Sequence, residues 1–232
     1  MAWFLFDEYG FKVSERTLSR VLKDAGWSRK QAIRRAKERS EELRQAWKVR
    51  QFDMPAWKVV CIDESAANER TGSRRYGWSL KGAPCYTDEP IKRSERWSIL
   101  PAMDMNGYLP GTLIHQGSIT AEIFEDWLET TILPQLEPGS ILVMDNASIH
   151  RSEGVRELIE SFDCILAFLP PYSPDFNPIE SSFSVLKAWI KRHIAEYALY
   201  SNFEDFLRAA LISIDDEMAA KWFQKCGYRS GL

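Results

Sequence analysis

Two short stretches constrain this chain most. Trp57 to Asp63 (WKVVCID) and Ile141 to Asp145 (ILVMD) are near-continuous apolar runs, and each ends on an aspartate. Unbroken hydrophobicity over strand length, without alternation, is the pattern of a β-strand covered on both faces. Such strands need helices above and below them, so the chain is expected to be α/β, a mixed sheet flanked by helices. The carboxyl edge of strands in open α/β sheets is where sites are built, which makes Asp63 and Asp145 candidates for chemistry. With 232 residues, 45% of them hydrophobic and 27% charged, the chain has enough apolar material for a core. No apolar run approaches the roughly 18 residues of a bilayer span. Met1 to Phe6 lacks a basic leader, so neither a membrane partner nor secretion is expected.

The elements around these strands follow from turn signals and periodicity. Segments at Tyr76 to Leu80, Trp97 to Met103 and Tyr108 to His115 read as further strands, with Asn106-Gly107 as a hairpin turn and Asp104 as a residue of that hairpin. Ala121 to Leu133 and Glu153 to Ser161 read as helices, and Cys164 to Leu169 as a strand. After the rigid loop Pro170 to Pro178 a helix runs from Pro178 to about His193, followed by one or two closing helices. A meander followed by β-α-β and a terminal helix is the expected order. Cys61, Cys85, Cys164 and Cys226 are spaced neither for metal nor for a disulfide framework, so reduced, mostly buried thiols are expected. Three histidines argue against an imidazole zinc site.

Charge is distributed unevenly. Residues 1–58 hold 14 Lys and Arg against 8 Asp and Glu, while residues 59–232 hold 16 against 25, a net +6 joined to a net −9. A basic arm on an acidic body suits a polyanionic partner, although a charged helix is also simply a solvated face. Within the arm, Ser14 to Ala25 reads as a short amphipathic helix capped by Ser14 and ended near Gly26. Its polar face presents Arg16, Thr17, Arg20 and Lys23, with Arg29 and Lys30 following, side chains able to reach phosphates and base edges. Phe4 to Phe11 would supply the preceding helix and turn of a partial helix-turn-helix over residues 1–27. Ser28 to about Phe52 reads as one long basic linker helix, giving expected divisions at 28–54, 55–214 and a helical tail at 215–232.

A third carboxylate joins the two strand-end aspartates. Asn177-Pro178-Ile179-Glu180 puts Glu180 in the first turn of a helix, where it would either complete a capping box or face a site. Three carboxylates without imidazole or thiolate form an all-oxygen set, the kind Mg²⁺ or Mn²⁺ prefers. Two such ions can activate an attacking oxygen and stabilise the leaving oxygen of a phosphodiester.

The residues IDES (Ile62 to Ser65), MDNASIH (Met144 to His150) and PPYSPDFNPIE (Pro170 to Glu180) resemble the catalytic domain of mariner-superfamily DDE transposases, which includes bacterial insertion-sequence relatives. The 34 residues between Asp145 and Glu180 match the Asp, Asp, Glu branch. RRYGWSLKGAP (Arg74 to Pro84) resembles the stretch between the family's first strands, and SERTLSRVLKDAGWSRK its second helix-turn-helix, with the first expected to be missing. Ser148 stands where many relatives carry proline. The resemblance implies a ribonuclease H-like fold with Asp63, Asp145 and Glu180 as catalytic ligands of two Mg²⁺ or Mn²⁺ ions. It also implies that Asn146, His150, Asp175 and Asn177 support those ligands or contact DNA, alongside ordinary turn, cap and helix-start roles for the same residues.

The implied activity is cut-and-paste transposition on double-stranded DNA by a homodimer bridging two ends. Alternatives are a co-opted remnant that binds DNA without cutting it, or another ribonuclease H-like nuclease. The compartment would be the nucleus in a eukaryote and the cytoplasm in a bacterium. Trp78 and Arg74-Arg75 are expected either in the core of a strand or at a DNA or partner contact.

Overall fold

The computed structural model describes residues 2–30, 36–73, 77–86 and 95–229. The chain divides between Lys37 and Glu38 into two compact units. The first holds α1 (Ala2–Tyr9) and α2 (Glu15–Asp24). Ser14 caps α2, its Oγ accepting the Thr17 N–H at 3.1 Å. The helix stops where Gly26, at φ +81°, turns the backbone left-handed and Trp27 N–H returns to the Leu22 carbonyl at 2.8 Å. Neither helix buries a side chain. Arg16, Arg20 and Lys23 are exposed at i, i+4 and i+7, one face of α2, and Arg29 and Lys30 are exposed beyond it. Thr17 is half-buried and shares a 2.9 Å hydroxyl hydrogen bond with Ser14, so its oxygen is already engaged locally.

The long helix expected over 28–52 is not formed. Residues 28–30 are irregular, 31–35 lie outside the described residues, and α3 spans only Glu41–Phe52. Ser40 starts it, its Oγ accepting from Leu43 N–H, with Glu41 and Glu42 in the first turn where the helix dipole favours acids. Nor is α3 a solvated linker, because Arg44, Trp47 and Gln51 are buried.

The second unit continues through β1 (Val59–Ile62), β2 (Ser65–Ala67), β3 (Trp97–Leu100), β4 (Ala102–Asp104), β5 (Gly107–Tyr108) and β6 (Leu113–Gln116). Next come α4 (Ala121–Trp127), extended by a π turn to Ile132, then β7 (Ile141–Met144), α5 (Glu153–Ser161) and β8 (Ile165–Phe168). The chain closes with α6 (Ile179–His193), α7 (Phe203–Leu211) and α8 (Asp216–Cys226). A five-stranded sheet has the order β5-β4-β1-β7-β8, with β7 and β8 parallel to β1's direction and β4 and β5 antiparallel. An antiparallel sheet β2-β3-β6 continues the meander.

The expected strands 97–103 and 108–115 are each split in two. Pro101, which has no N–H to give a ladder, separates β3 from β4. Register pairs Ile62 with Ala102 and Ser65 with Ile99, so Asp63-Glu64 lie opposite Leu100-Pro101. The break that frees Asp63 from the ladder therefore crosses the neighbouring strand as well. Residues 77–80 form no strand, and Trp78 is fully exposed, which removes its core role; both edges of β3 are already occupied by β2 and β6. Arg74, Arg75 and Tyr76 lie outside the described residues. Cys61 and Cys164 are buried free thiols as expected, whereas Cys85 is exposed.

Buried β1 and β7 explain the unbroken apolar runs. Val59, Cys61, Ile141 and Val143 face a cluster with Trp47 of α3, Ile179 and Phe183 of α6, and Ala219 and Phe223 of α8. Val60, Ile62, Leu142 and Met144 face the opposite cluster with Phe124 and Trp127 of α4 and Val155 and Ile159 of α5. The segment expected as a tail is thus core: α8 covers the same sheet face as α3 and α6. A third cluster joins Ile99 and Ile114 to α6 and α7.

Candidate active site

Asp63 follows β1, Asp145 follows the adjacent parallel strand β7, and Glu180 sits in the first turn of α6, which covers that sheet. All three line one cavity of about 530 Å³, whose wall is completed by Asn146, Ala147, Asn177 and the loop from Leu169 to Pro174. In that loop Tyr172 holds a left-handed φ of +53°, a strained backbone of the kind that gathers at sites.

Each aspartate is fixed by its own hydrogen bonds. Asp63 Oδ1 accepts Glu64 N–H at 2.7 Å, and Oδ2 accepts Asn177 Nδ2 at 3.0 Å. Asp145 Oδ1 accepts Ala147 N–H at 2.9 Å and pairs with His150 Nδ1 at 2.8 Å. His150 is 2% exposed and lies against the Phe124 ring, 4.7 Å between centroids, so it has little freedom to release Asp145. Glu180 makes no side-chain hydrogen bond among the described residues and closes no capping box. Burial, then the charges of Glu180 and Asp145, raise the Asp63 pKa to about 7. Partial burial and Asp145 raise that of Glu180, against the pull of Lys187. The His150 contact holds Asp145 below the usual carboxylate range.

Among the described residues no three His, Cys, Asp or Glu side chains are close enough to enclose a single ion. The chemistry of the three carboxylates nevertheless suits hard divalent cations. The donors are all oxygen, and the ionised form of Asp63, disfavoured first by burial and then by Glu180 and Asp145, is the form a cation would stabilise.

The sequence profile of the DDE superfamily endonucleases matches residues 58–199. The chain belongs to that family. A winged helix-turn-helix profile matches residues 2–51, and no curated protein sequence gives a significant match. The fold is similar to that of the Mos1 transposase paired-end complex with left transposon end: TM-score 0.69 at 18% identity, covering 97% of this chain and 74% of that one. The Mos1 strand transfer complex gives TM-score 0.69 at 18% identity, with 97% and 73% covered. The catalytic domain of Mos1 mariner transposase gives TM-score 0.54 at 17% identity, covering 86% of this chain and 92% of that one. At such identities the likeness is one of fold, and it bears out the ribonuclease H-like expectation.

For this DDE endonuclease the surrounding residues divide by what they touch. Asn146 donates from Nδ2 to the Leu169 carbonyl at 2.5 Å, tying the Asp145 loop to the end of β8. Asn177 does not cap α6; its amide turns back to Asp63. Asp175 accepts two hydrogen bonds from buried Arg44, at 2.9 and 2.6 Å, so α3 grips the loop that precedes Glu180. Arg44 also lies 4.2 Å over the Phe176 ring. Sequence reasoning missed Arg44, whose buried face on α3 was hidden inside the supposed linker. It also missed Glu64, whose Oε1 lies 3.8 Å from His150 Nε2 and whose pKa burial raises. Its position beside Asp63 was the available signal.

Proposed function

We propose that this chain is a cut-and-paste DNA transposase whose Asp63, Asp145 and Glu180 hold divalent cations during phosphodiester hydrolysis and strand transfer. The observation that carries the reading is the convergence on one cavity of three carboxylates from two adjacent parallel strand ends and a helix start, within the span matched by the DDE profile. Structures of Mos1 with Mn and with Mg support Mg²⁺ or Mn²⁺ as the ions. When bound, two ions would activate the attacking oxygen and stabilise the leaving one.

The chain's own residues prepare that site. His150 and Ala147 N–H hold Asp145 through Oδ1, so its Oδ2 is free of hydrogen bonds among the described residues. Asn177 and Glu64 N–H hold Asp63 in one orientation. Ser173, a buried hydroxyl in the cavity wall, donates to the Pro171 carbonyl at 3.2 Å, and the reading uses no seryl–DNA intermediate. Water cuts the element's end and the freed 3′-hydroxyl attacks target DNA. Arg16, Arg20, Lys23, Arg29 and Lys30 supply phosphate contacts to transposon-end DNA, which makes binding salt-sensitive. A homodimer that bridges two ends completes the reading, and Mos1 paired-end complexes support it.

The test is cleavage of a supercoiled plasmid or end oligonucleotide with Mg²⁺ or Mn²⁺, comparing the parent with Asp145→Asn and Glu180→Gln. Loss of nicking in both variants is expected. Metal-dependent nicking that survives both substitutions refutes the site.

A further inference from the structure

Beside the carboxylate cavity lies a larger one of about 840 Å³, and the two share Pro174, Asn177 and Glu180 in their walls. Its other walls come from α3, from α6 and from the chain at the end of α8. Three exposed cations face it: Lys48 on α3, Lys225 on α8 and Arg229 just beyond. None of them forms an ion pair among the described residues, whereas the lining's Asp175 is matched by Arg44. Arg229 is held with its guanidinium 4.0 Å over the Phe52 ring, and Gln51 Nε2 donates to the Cys226 carbonyl at 3.0 Å, pinning α3 to α8. Half of the fourteen lining residues, the three cations among them, lie outside residues 58–199.

We propose that this groove carries the phosphodiester backbone of the DNA strand adjoining the scissile phosphate. The inference rests on the transposase reading above. A strand whose phosphate reaches Glu180 continues past it, and residues 59–232 carry a net −9, which taken as a whole disfavours a polyanion. The groove is a path on which three cations without an ion pair among the described residues meet the site, against two, Arg50 and Arg151, in the cavity on the site's other side. Lys48 and Lys225 act as point charges on successive phosphates, and Arg229, oriented by Phe52, offers a fork to a third.

The test uses fluorescence anisotropy of a labelled transposon-end duplex with the full chain across about 50 to 200 mM salt. Lys48→Glu/Lys225→Glu is compared with Arg156→Glu/Lys221→Glu, a control with the same change in charge at exposed sites outside the groove. All four substituted side chains are exposed, and matched thermal melts confirm folding. At about 0.9 per phosphate, the groove variant flattens the slope of log K against log salt by about two and loses at least about tenfold in affinity at 100 mM, while the control keeps the parental slope. Equal behaviour of groove variant and control overturns the proposal, as does absence of DNA binding by the parent. A parent that binds with the expected slope difference but never nicks DNA with Mg²⁺ or Mn²⁺ sinks the transposase reading and leaves the groove supported.

Discussion

Breaking the Arg44–Asp175 pair from either side should cost very different amounts. The Arg44 side chain is 6% exposed and that of Asp175 is 52% exposed. In Asp175→Ala the guanidinium stays buried, keeping only Glu41 at 3.4 Å and the Phe176 ring face. Leaving a buried charge without its partner costs about 3–5 kcal/mol. In Arg44→Met the orphan is a carboxylate already half in water, and the new side chain still covers Phe176, so the loss is about 1–2 kcal/mol. For a unit of this size each kcal/mol moves Tm by about 2–4 °C. Urea unfolding and thermal melts at pH 7 should therefore place Asp175→Ala well below Arg44→Met, with both below the parent. The pair also has a pH signature. Arg44 lowers the folded pKa of Asp175, so its stabilisation is present above the ordinary carboxylate range and is lost as pH falls through the lowered value. Arg44→Met should flatten that acid limb. An Arg44→Met loss equal to or larger than that of Asp175→Ala, or losses under about 0.5 kcal/mol in both, would refute the reasoning.

Two further outcomes follow from the charge cluster. Asp63 has a folded pKa of about 7, above its unfolded value, so its penalty is absent near pH 4, grows as pH rises and is complete above pH 7. Asp63→Asn should then raise stability at pH 8, by at most about 4 kcal/mol, and change it little at pH 4; a gain independent of pH in urea titrations counts against the assignment. Mg²⁺ or Mn²⁺ should raise the Tm of the parent, by an amount equivalent to about 2.7 kcal/mol at a hundred times Kd, and most of that rise should vanish in Asp63→Asn; an unchanged rise in the variant refutes cation binding at Asp63.

Much of this was legible in local pattern. Two apolar runs ending in aspartate located β1 and β7 and two of the site carboxylates, because a strand buried on both faces leaves no room for alternation. Asn106-Gly107 marked the β4–β5 hairpin, in which Asp104 Oδ1 accepts Asn106 N–H at 2.7 Å. Ser14 marked the start of α2, and Glu153–Ser161 forms the helix its period indicated. Pro178 and the spacing from Asp145 pointed to Glu180. Less legible was α3, where the start signal Ser40-Glu41-Glu42 was submerged in a basic run that looked continuous. The split at Pro101 was also missed, since the proline sat inside an otherwise convincing strand.

What the sequence alone supplied is most of the elements, from patterns within a few residues of chain, and three candidate carboxylates, two from strand ends and the third from its spacing to Asp145. What only the tertiary structure decided is who holds them. His150 against Asp145, Asn177 turned from helix cap to Asp63, Arg44 reaching across 131 positions to Asp175, and the groove between α3 and α8 all join distant segments. No local period encodes such pairings. They are selected when burying Trp47, Phe176 and Phe223 in one cluster brings those segments together and obliges their polar neighbours to find partners.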